Sequence, residues 1–350
     1  MNFGLMDPFR NGPGCELPFS ELYRTHLELA VEAEAMGYDT FWFTEHHFVP
    51  DGYSPDVLGL AGALAARTSR IRIGTHVVLM PLHHPLRVAE AAATVDVLSN
   101  GRLDLGLGQG YRPQEFVGYA VSRRERSARL HEGVEIIRRL FVEEDVTYAG
   151  RFHQIKEATL YPRPVQQPHP RLWLAARSRQ ATEHVARAGL NLLGSGNLGV
   201  YGDTRQSEVY RQALAAAGRA TGDFCISQVR YGHVAETRAK AWDEAERPLH
   251  YMAQSFGQWL ADANDVPGDE NFRKVPSPAE LRRLSEGDLS PDAPLVGSPD
   301  DIVGILEPYF VRERLTHLVL ELALPGLSPA QLRNSMQLFA RQVIPRLRRV

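Results

Sequence analysis

Short apolar runs rich in Val, Ile, Leu and aromatic residues alternate along the chain with stretches whose apolar positions recur every three or four residues. The first pattern reads as buried strands and the second as amphipathic helices. Strands are predicted at Phe3–Met6, Thr40–Phe43, Ile71–Leu79, Leu103–Leu107, Arg171–Leu174, Leu190–Leu193, Ile226–His233 and His317–Leu322. A helix is predicted at Ser20–Met36, where Leu22, Leu29, Ala30, Ala33 and Met36 share one face. Further helical patterns cover Asp56–Thr68, Leu86–Leu98, Arg124–Phe141, Gln180–Ala188, Thr204–Ala217, Thr237–Phe256, Pro299–Val311 and Pro329–Arg348. Strands alternating with helices build parallel βαβ units. Eight such units fit an α/β (β/α)8 TIM barrel better than an open doubly wound sheet.

Two stretches break the rhythm. Thr147–Pro168 alternates like a strand pair and then fills with prolines, which predicts a hairpin laid on the barrel. Gly257–Pro294 is crowded with Asp, Asn, Gly, Pro and Ser and reads as a late insertion over residues 257–294, the kind that serves as a lid. The 350 residues exceed a usual domain, but α/β barrels run to about 250 residues or more as one unit. Residues 1–350 are therefore read as a single barrel domain.

A hydrophobic fraction of 43% supplies a large core and excludes a mostly disordered chain. With 39 basic against 42 acidic residues, no general field draws the protein to nucleic acid or an anionic membrane. Two cysteines, Cys15 and Cys225, give neither a disulfide framework nor a multi-cysteine metal site. The start MNFGLMDPFR has no signal-peptide pattern, and no apolar run is long enough to span a membrane, so a soluble, cytoplasmic protein is expected.

Barrel enzymes place their chemistry at the C-terminal ends of strands, and four segments there carry it. Thr44-Glu45-His46-His47-Phe48 follows the second strand. Neighbouring histidines leave a strand on opposite faces, which suits proton transfer by one of them better than metal ligation; no metal site is expected. Pro81-Leu82-His83-His84-Pro85 opens a helix, with both histidines exposed or capping. Gly106-Leu107-Gly108-Gln109-Gly110-Tyr111 allows a close backbone approach to a ligand, yet lacks the third glycine of a dinucleotide fingerprint. Ala176-Arg177-Ser178-Arg179-Gln180 offers a helix N-terminus, a hydroxyl and two arginines as a phosphate cradle. Gly194-Ser195-Gly196 is no nucleophile elbow, and neither cysteine neighbours a histidine. The residues by themselves indicate a barrel enzyme with a phosphate-bearing ligand.

Those segments resemble the bacterial luciferase-like, flavin-dependent monooxygenase family. The resemblance rests on Glu45-His46-His47-Phe48, Leu79-Met80-Pro81-Leu82-His83-His84-Pro85, Ala89-Glu90, Asp96-Val97-Leu98-Ser99-Asn100-Gly101-Arg102 and Gly108-Gln109-Gly110-Tyr111 with Glu115-Phe116. It continues through Val296-Gly297-Ser298-Pro299, Arg333-Asn334-Ser335-Met336-Gln337-Leu338-Phe339-Ala340 and Val343-Ile344-Pro345, nearly the whole chain in order. It implies a barrel that binds reduced FMN supplied by a separate NAD(P)H flavin reductase and oxygenates a small-molecule substrate with O2. It also implies a homodimer, through helices near Asp56–Thr68 and Leu86–Leu98. By the same resemblance His46 is the catalytic histidine that manages protons. Gly108, Gln109, Gly110 and Tyr111 line the flavin, Arg177, Ser178 and Arg179 hold its phosphate, and a cis peptide falls at Thr75-His76. Gln109 stands where many relatives carry arginine, and Gly108 stands where the light-emitting enzymes carry a reactive cysteine. The first departure leaves Arg177 to supply the charge at the phosphate, and the second points away from light emission. A deazaflavin-dependent reductase or dehydrogenase of the same superfamily, a non-catalytic flavin-binding protein and a metal-dependent barrel hydrolase are the competing readings.

Overall fold

Eight parallel strands close on themselves in this computed structural model, which describes residues 1–195, 206–263, 275–285 and 293–349. They are Asn2–Asp7, Thr40–Phe43, Arg72–Thr75, Leu103–Gly108, Arg171–Ala175, Asn191–Ser195, Ile226–Val234 and His317–Glu321, called strands one to eight below. Each pairs with the next, and strand eight returns to strand one through Asn2↔His317 and its successors. All eight predicted strands are present. The third is shorter than expected, because Ile71–Leu79 divides into Arg72–Thr75 and Val78–Leu79 around a cis peptide at His76–Val77. A three-residue strand, Leu295–Gly297, adds to strand seven outside the barrel and was not predicted.

Side chains alternate across each strand, and the alternation builds two cores. Phe3, Leu5, Phe41, Phe43, Leu103, Leu105, Leu107, Leu172 and Leu174 point outward against the helices. Met6, Trp42, Trp173, Leu193, Val229, Tyr231 and Val319 point into the barrel. Trp42 and Trp173 meet edge to face at 5.4 Å and fill the middle of the barrel. Glycine makes room for them: a Cβ on Gly74 would overlap the Trp42 indole. Below, the Asp104 carboxylate closes the floor between Arg72 at 2.9 Å and Arg171 at 2.7 Å.

Helix starts follow local chemistry. Asp56, Ser178, Thr237, Ser277, Ser298 and Ser328 each cap a helix by accepting a backbone N–H. The predicted hairpin is present as Val146–Ala149 paired with Gln154–Ala158. The helix predicted to end at Phe256 runs instead over Arg238–Asp262, six residues into the expected insertion, and packs its apolar face across the barrel mouth. A second insertion helix covers Pro278–Leu284; the remainder of 257–294, at 264–274 and 286–292, lies outside the described residues. Among the described residues no helix is long and apolar enough to cross a membrane.

Candidate active site

Past Phe43 the chain keeps alternating, and this sorts two adjacent histidines to different tasks. His46 turns into the mouth, where its Nδ1 lies 2.7 Å from Glu115 Oε1. The same oxygen accepts the His47 backbone N–H at 3.0 Å and an Arg112 N–H at 3.1 Å, and Arg112 also donates to the His47 carbonyl at 2.6 Å. Burial by itself would raise the Glu115 carboxyl, but the His46 ring, the His47 amide and Arg112 together hold it below the ordinary range. An ionised carboxylate can only accept, so His46 Nδ1 donates to Glu115, and in the neutral ring this tautomer leaves Nε2 as the proton acceptor. Tyr53, Tyr111 and Trp259 enclose the ring at 4.6, 5.6 and 5.1 Å between centroids. Trp259 arrives from the helix across the mouth and stacks under Arg112 at 4.4 Å. A cleft of about 620 Å³ reaches His46 from outside, between Phe19, Tyr23, Phe48 and Pro50.

Glu45 and His47 turn the other way. Glu45 Oε1 lies 2.7 Å from Nε2 of both His47 and His83, and Oε2 accepts the Leu79 backbone N–H at 3.0 Å. His83, expected to be exposed or capping, is therefore engaged by Glu45; His84 caps the following helix as expected. Burial opposes both shifts, yet the hydrogen bonds hold Glu45 below its ordinary value and His83 above. Among the described residues these three side chains are the group whose donor atoms, within 4.8 Å of one another, could surround a metal ion. Tetrahedral bonds of about 2.1 Å would set ligand atoms about 3.4 Å apart. The spacings of 2.7 Å are those of hydrogen bonds, so the arrangement clamps the loop after strand two to the chain after strand three.

The opposite side of the mouth is mostly backbone. The cis peptide joins His76 to Val77, one residue beyond the expected Thr75-His76 pair. The reason is that Thr75 and His76 still serve the sheet: Thr75 pairs with Phe43, and the His76 N–H donates to the Phe43 carbonyl at 2.6 Å. Thr75 Oγ1 is also tied to Gly106, donating to its carbonyl at 2.8 Å and accepting its N–H at 2.9 Å. His76 presents a buried Nε2 with no hydrogen-bond partner among the described residues, and burial pushes the ring down to about 4, so it is neutral. Gly108 lies against Val77, where a Cβ would overlap that side chain, and Gly110 takes a positive φ of 67° that favours glycine. Gln109 and Tyr111 are half-buried beside them.

Arg177 is exposed at the mouth and stacks on the Tyr111 ring at 5.1 Å. Ser178 caps the helix Arg179–Ala188 by accepting the Ala181 N–H at 3.2 Å. Arg179, expected at the phosphate, instead pairs with Glu183 one turn along the exposed helix face at 2.9 Å. Side-chain-free backbone at Gly108 and Gly110, packed on Val77 and Phe116, an unpartnered imidazole nitrogen, and an arginine beside a helix N-terminus are compatible with a planar ligand bearing a phosphate at one end.

A third wall was not anticipated. Arg10 pairs with Asp51 at 2.6 Å and lies 5.3 Å from the Tyr53 ring and 5.3 Å from Trp259. Glu321, the last residue of strand eight, stands in register beside Tyr231 within strand seven. Glu115 and Arg112 had no recognisable spacing from His46, since one loop supplies the histidine and another its partners. For Glu321 a signal existed: it falls on the same strand face as His317 and Val319.

Comparison with known proteins accords with this geometry. The family model described as luciferase-like monooxygenase matches residues 1–312. The crystal structure of monooxygenase RslO1 from Streptomyces bottropensis is 30% identical, with a TM-score of 0.83 over 99% of each chain. An F420-dependent glucose-6-phosphate dehydrogenase of Amycolatopsis mediterranei is 31% identical over 93% of this chain and 95% of its own length. The oxygenase component of a flavin-dependent trigonelline monooxygenase of Acinetobacter baylyi is 34% identical over 49% of this chain and 48% of that protein. Two further curated relatives are matched over 63% and 60% of their own lengths. The relatives with named activities are flavin- or deazaflavin-dependent oxidoreductases, and this chain belongs to the luciferase-like monooxygenase family.

Proposed function

We propose that the protein is a monooxygenase that takes reduced FMN and O2 and oxygenates a small organic substrate. The observation that carries the reading is the His46–Glu115 contact of 2.7 Å at the mouth, facing the glycine-lined side. Bound there, reduced FMN would supply the electrons that activate oxygen. Arg177 and the amides at the N-terminus of Arg179–Ala188 would hold the phosphate, because a guanidinium fork and a helix dipole both favour a dianion. Gly108, Gln109, Gly110 and Tyr111 would take the ring system, with His76 Nε2 available to its polar edge. His46 Nε2 accepts or returns a proton at the reacting centre, and Glu115 fixes the ring in the tautomer that permits this. Trp259, Tyr53 and Tyr111 pack round that ring and would limit its contact with water once a ligand fills the mouth.

A relative described as the oxygenase component of its monooxygenase supports a separate reductase as the source of reduced flavin. The same reading includes a homodimer. Val97 and Leu98 stay 41% and 54% exposed on the helix Pro85–Ser99, and light scattering checks the state.

A second reading has support of its own, since the dehydrogenase relative is matched over 95% of its length. In that case the ligand is a reduced or oxidised deazaflavin, hydride moves without oxygen, and His46 takes an alcohol proton. Titrating with reduced FMN and with reduced deazaflavin under anaerobic conditions, then admitting oxygen, separates the two. Tight FMN binding followed by substrate-dependent oxygen uptake is the expected result. Binding of the deazaflavin alone, with no oxygen uptake, overturns the monooxygenase reading in favour of hydride transfer.

A further inference from the structure

Glu321 is the last residue of strand eight and, by the alternation that sends His317 and Val319 inward, it faces the barrel mouth. It is 1% exposed, and its Oε2 has no hydrogen-bond partner among the described residues. Tyr231 lies beside it in register, and Tyr53, whose ring touches His46 at 4.6 Å, is an electrostatic neighbour. A polar group buried without a partner is costly to keep, on the order of 1–3 kcal/mol. Such a group at an active-site mouth therefore reads as one whose partner arrives with the substrate.

We propose that the Glu321 carboxyl is the contact that seats the substrate, and that the substrate is an uncharged molecule presenting a carbonyl oxygen to it. The proposal deepens the oxidoreductase reading of this mouth and rests on it. Burial raises the Glu321 carboxyl well above the ordinary carboxylate range. The charged groups facing it are Arg10, which opposes that shift, and Asp7, which adds to it. Arg10 is joined through Nε and Nη2 to Asp51, which balances its charge although its Nη1 has no hydrogen-bond partner among the described residues; Asp51 Oδ2 also accepts the Tyr251 hydroxyl at 2.7 Å, and Asp7 is held by His26 at 2.8 Å. A neutral carboxyl has one O–H to donate. It donates to a carbonyl oxygen, whereas a second carboxylate placed in this aromatic surround would lack a counter-charge.

The test uses the protein without added flavin, so its outcome is independent of which flavin binds. Tryptophan fluorescence follows cyclohexanone, methylcyclohexane and cyclohexanecarboxylate binding to wild type, Glu321→Gln and Glu321→Leu. The amide of Gln keeps a donor of similar shape; Leu removes it. Wild type should prefer the ketone to the other two probes, Glu321→Gln should stay within about threefold, and Glu321→Leu should lose roughly tenfold, the value of one buried hydrogen bond. A carboxyl raised by folding binds its proton more tightly in the folded state, so wild-type stability falls as pH rises above the unfolded value of about 4.3. Thermal unfolding from pH 4 to pH 8 should therefore show Glu321→Gln gaining steadily on wild type. Ketone affinity equal in Glu321→Leu and wild type, absence of ketone binding to wild type, preference for the carboxylate, or parallel stability curves for wild type and Gln would each overturn the proposal.

Discussion

Across the mouth of the barrel, strands three to five offer backbone, glycine and a neutral imidazole, whereas strands seven, eight and one offer tyrosine rings, a paired arginine and a buried carboxyl. On the first side Gly106, Gly108 and Gly110 let Thr75, Val77 and Phe116 pack directly on the backbone, and Arg177 stacks on Tyr111 at its rim. On the second side Tyr231, Glu321, Arg10 and Tyr53 crowd together under Trp259. His46 stands between them, fixed by Glu115. A bare wall suits a large planar ligand held through its phosphate and ring edges, and a lined wall suits a smaller guest chosen by shape and one hydrogen bond. Under the proposed function the difference assigns flavin and substrate to separate walls, and mutation of each wall tests that division.

The largest expected effect breaks the centre of that division. His46→Ala removes the proton acceptor and should lower product formation roughly 10²–10⁴-fold while flavin still binds; comparable turnover in the variant, measured with the flavin confirmed in place, would contradict the role. Gly106→Ala tests the packing behind the glycine-lined wall. A Cβ there would overlap the Thr75 carbonyl, which is backbone and cannot move aside, so a loss of about 3 kcal/mol or more in thermal unfolding is expected. Arg177→Ala sharpens the comparison by touching only the phosphate end. It should weaken FMN roughly ten- to a hundredfold and leave riboflavin, which lacks the phosphate, nearly unchanged in fluorescence titration; equal losses for both flavins would remove the phosphate assignment.

The smallest effect concerns the clamp behind His46. His83 is held above its ordinary value, so its contribution is full below about pH 6.5 and fades as pH rises through its folded value. Glu45 is held below its ordinary value, so its contribution is full above about pH 4.3 and fades as pH falls through its folded value. Glu45→Gln should therefore lower the unfolding temperature most near pH 5.5 and less at pH 8. A difference that grows towards pH 8 would show that the clamp does not work through these charges.

Much of the barrel was legible because its signal is local. An apolar run bounded by polar residues marks a strand wherever it stands, and each of the eight lies where that pattern put it. What escaped was Leu295–Gly297, too short to show a period, and the division of strand three at His76–Val77. The candidate site was legible only where its residues lie within one local motif. His46 follows a strand end within one motif, and Gly108 with Gly110 announces bare backbone. Glu115 and Arg112 reach His46 from 69 and 66 positions away, Trp259 from a helix thought to stop short of it, and Glu321 from the far end of the chain. Such contacts depend on closure of the barrel, which a linear pattern does not encode. Arg179 shows what the linear pattern leaves out: its place beside Ser178 suggested a phosphate ligand, and one helical turn also sets it beside Glu183.

The most direct test of the two-sided mouth is an anaerobic titration of wild type, Arg177→Ala and Glu321→Gln with reduced FMN. The account predicts that Arg177→Ala loses at least tenfold in affinity and that Glu321→Gln binds as wild type does. An FMN affinity that falls with Glu321→Gln and is indifferent to Arg177→Ala would place the flavin on the wrong wall and contradict it.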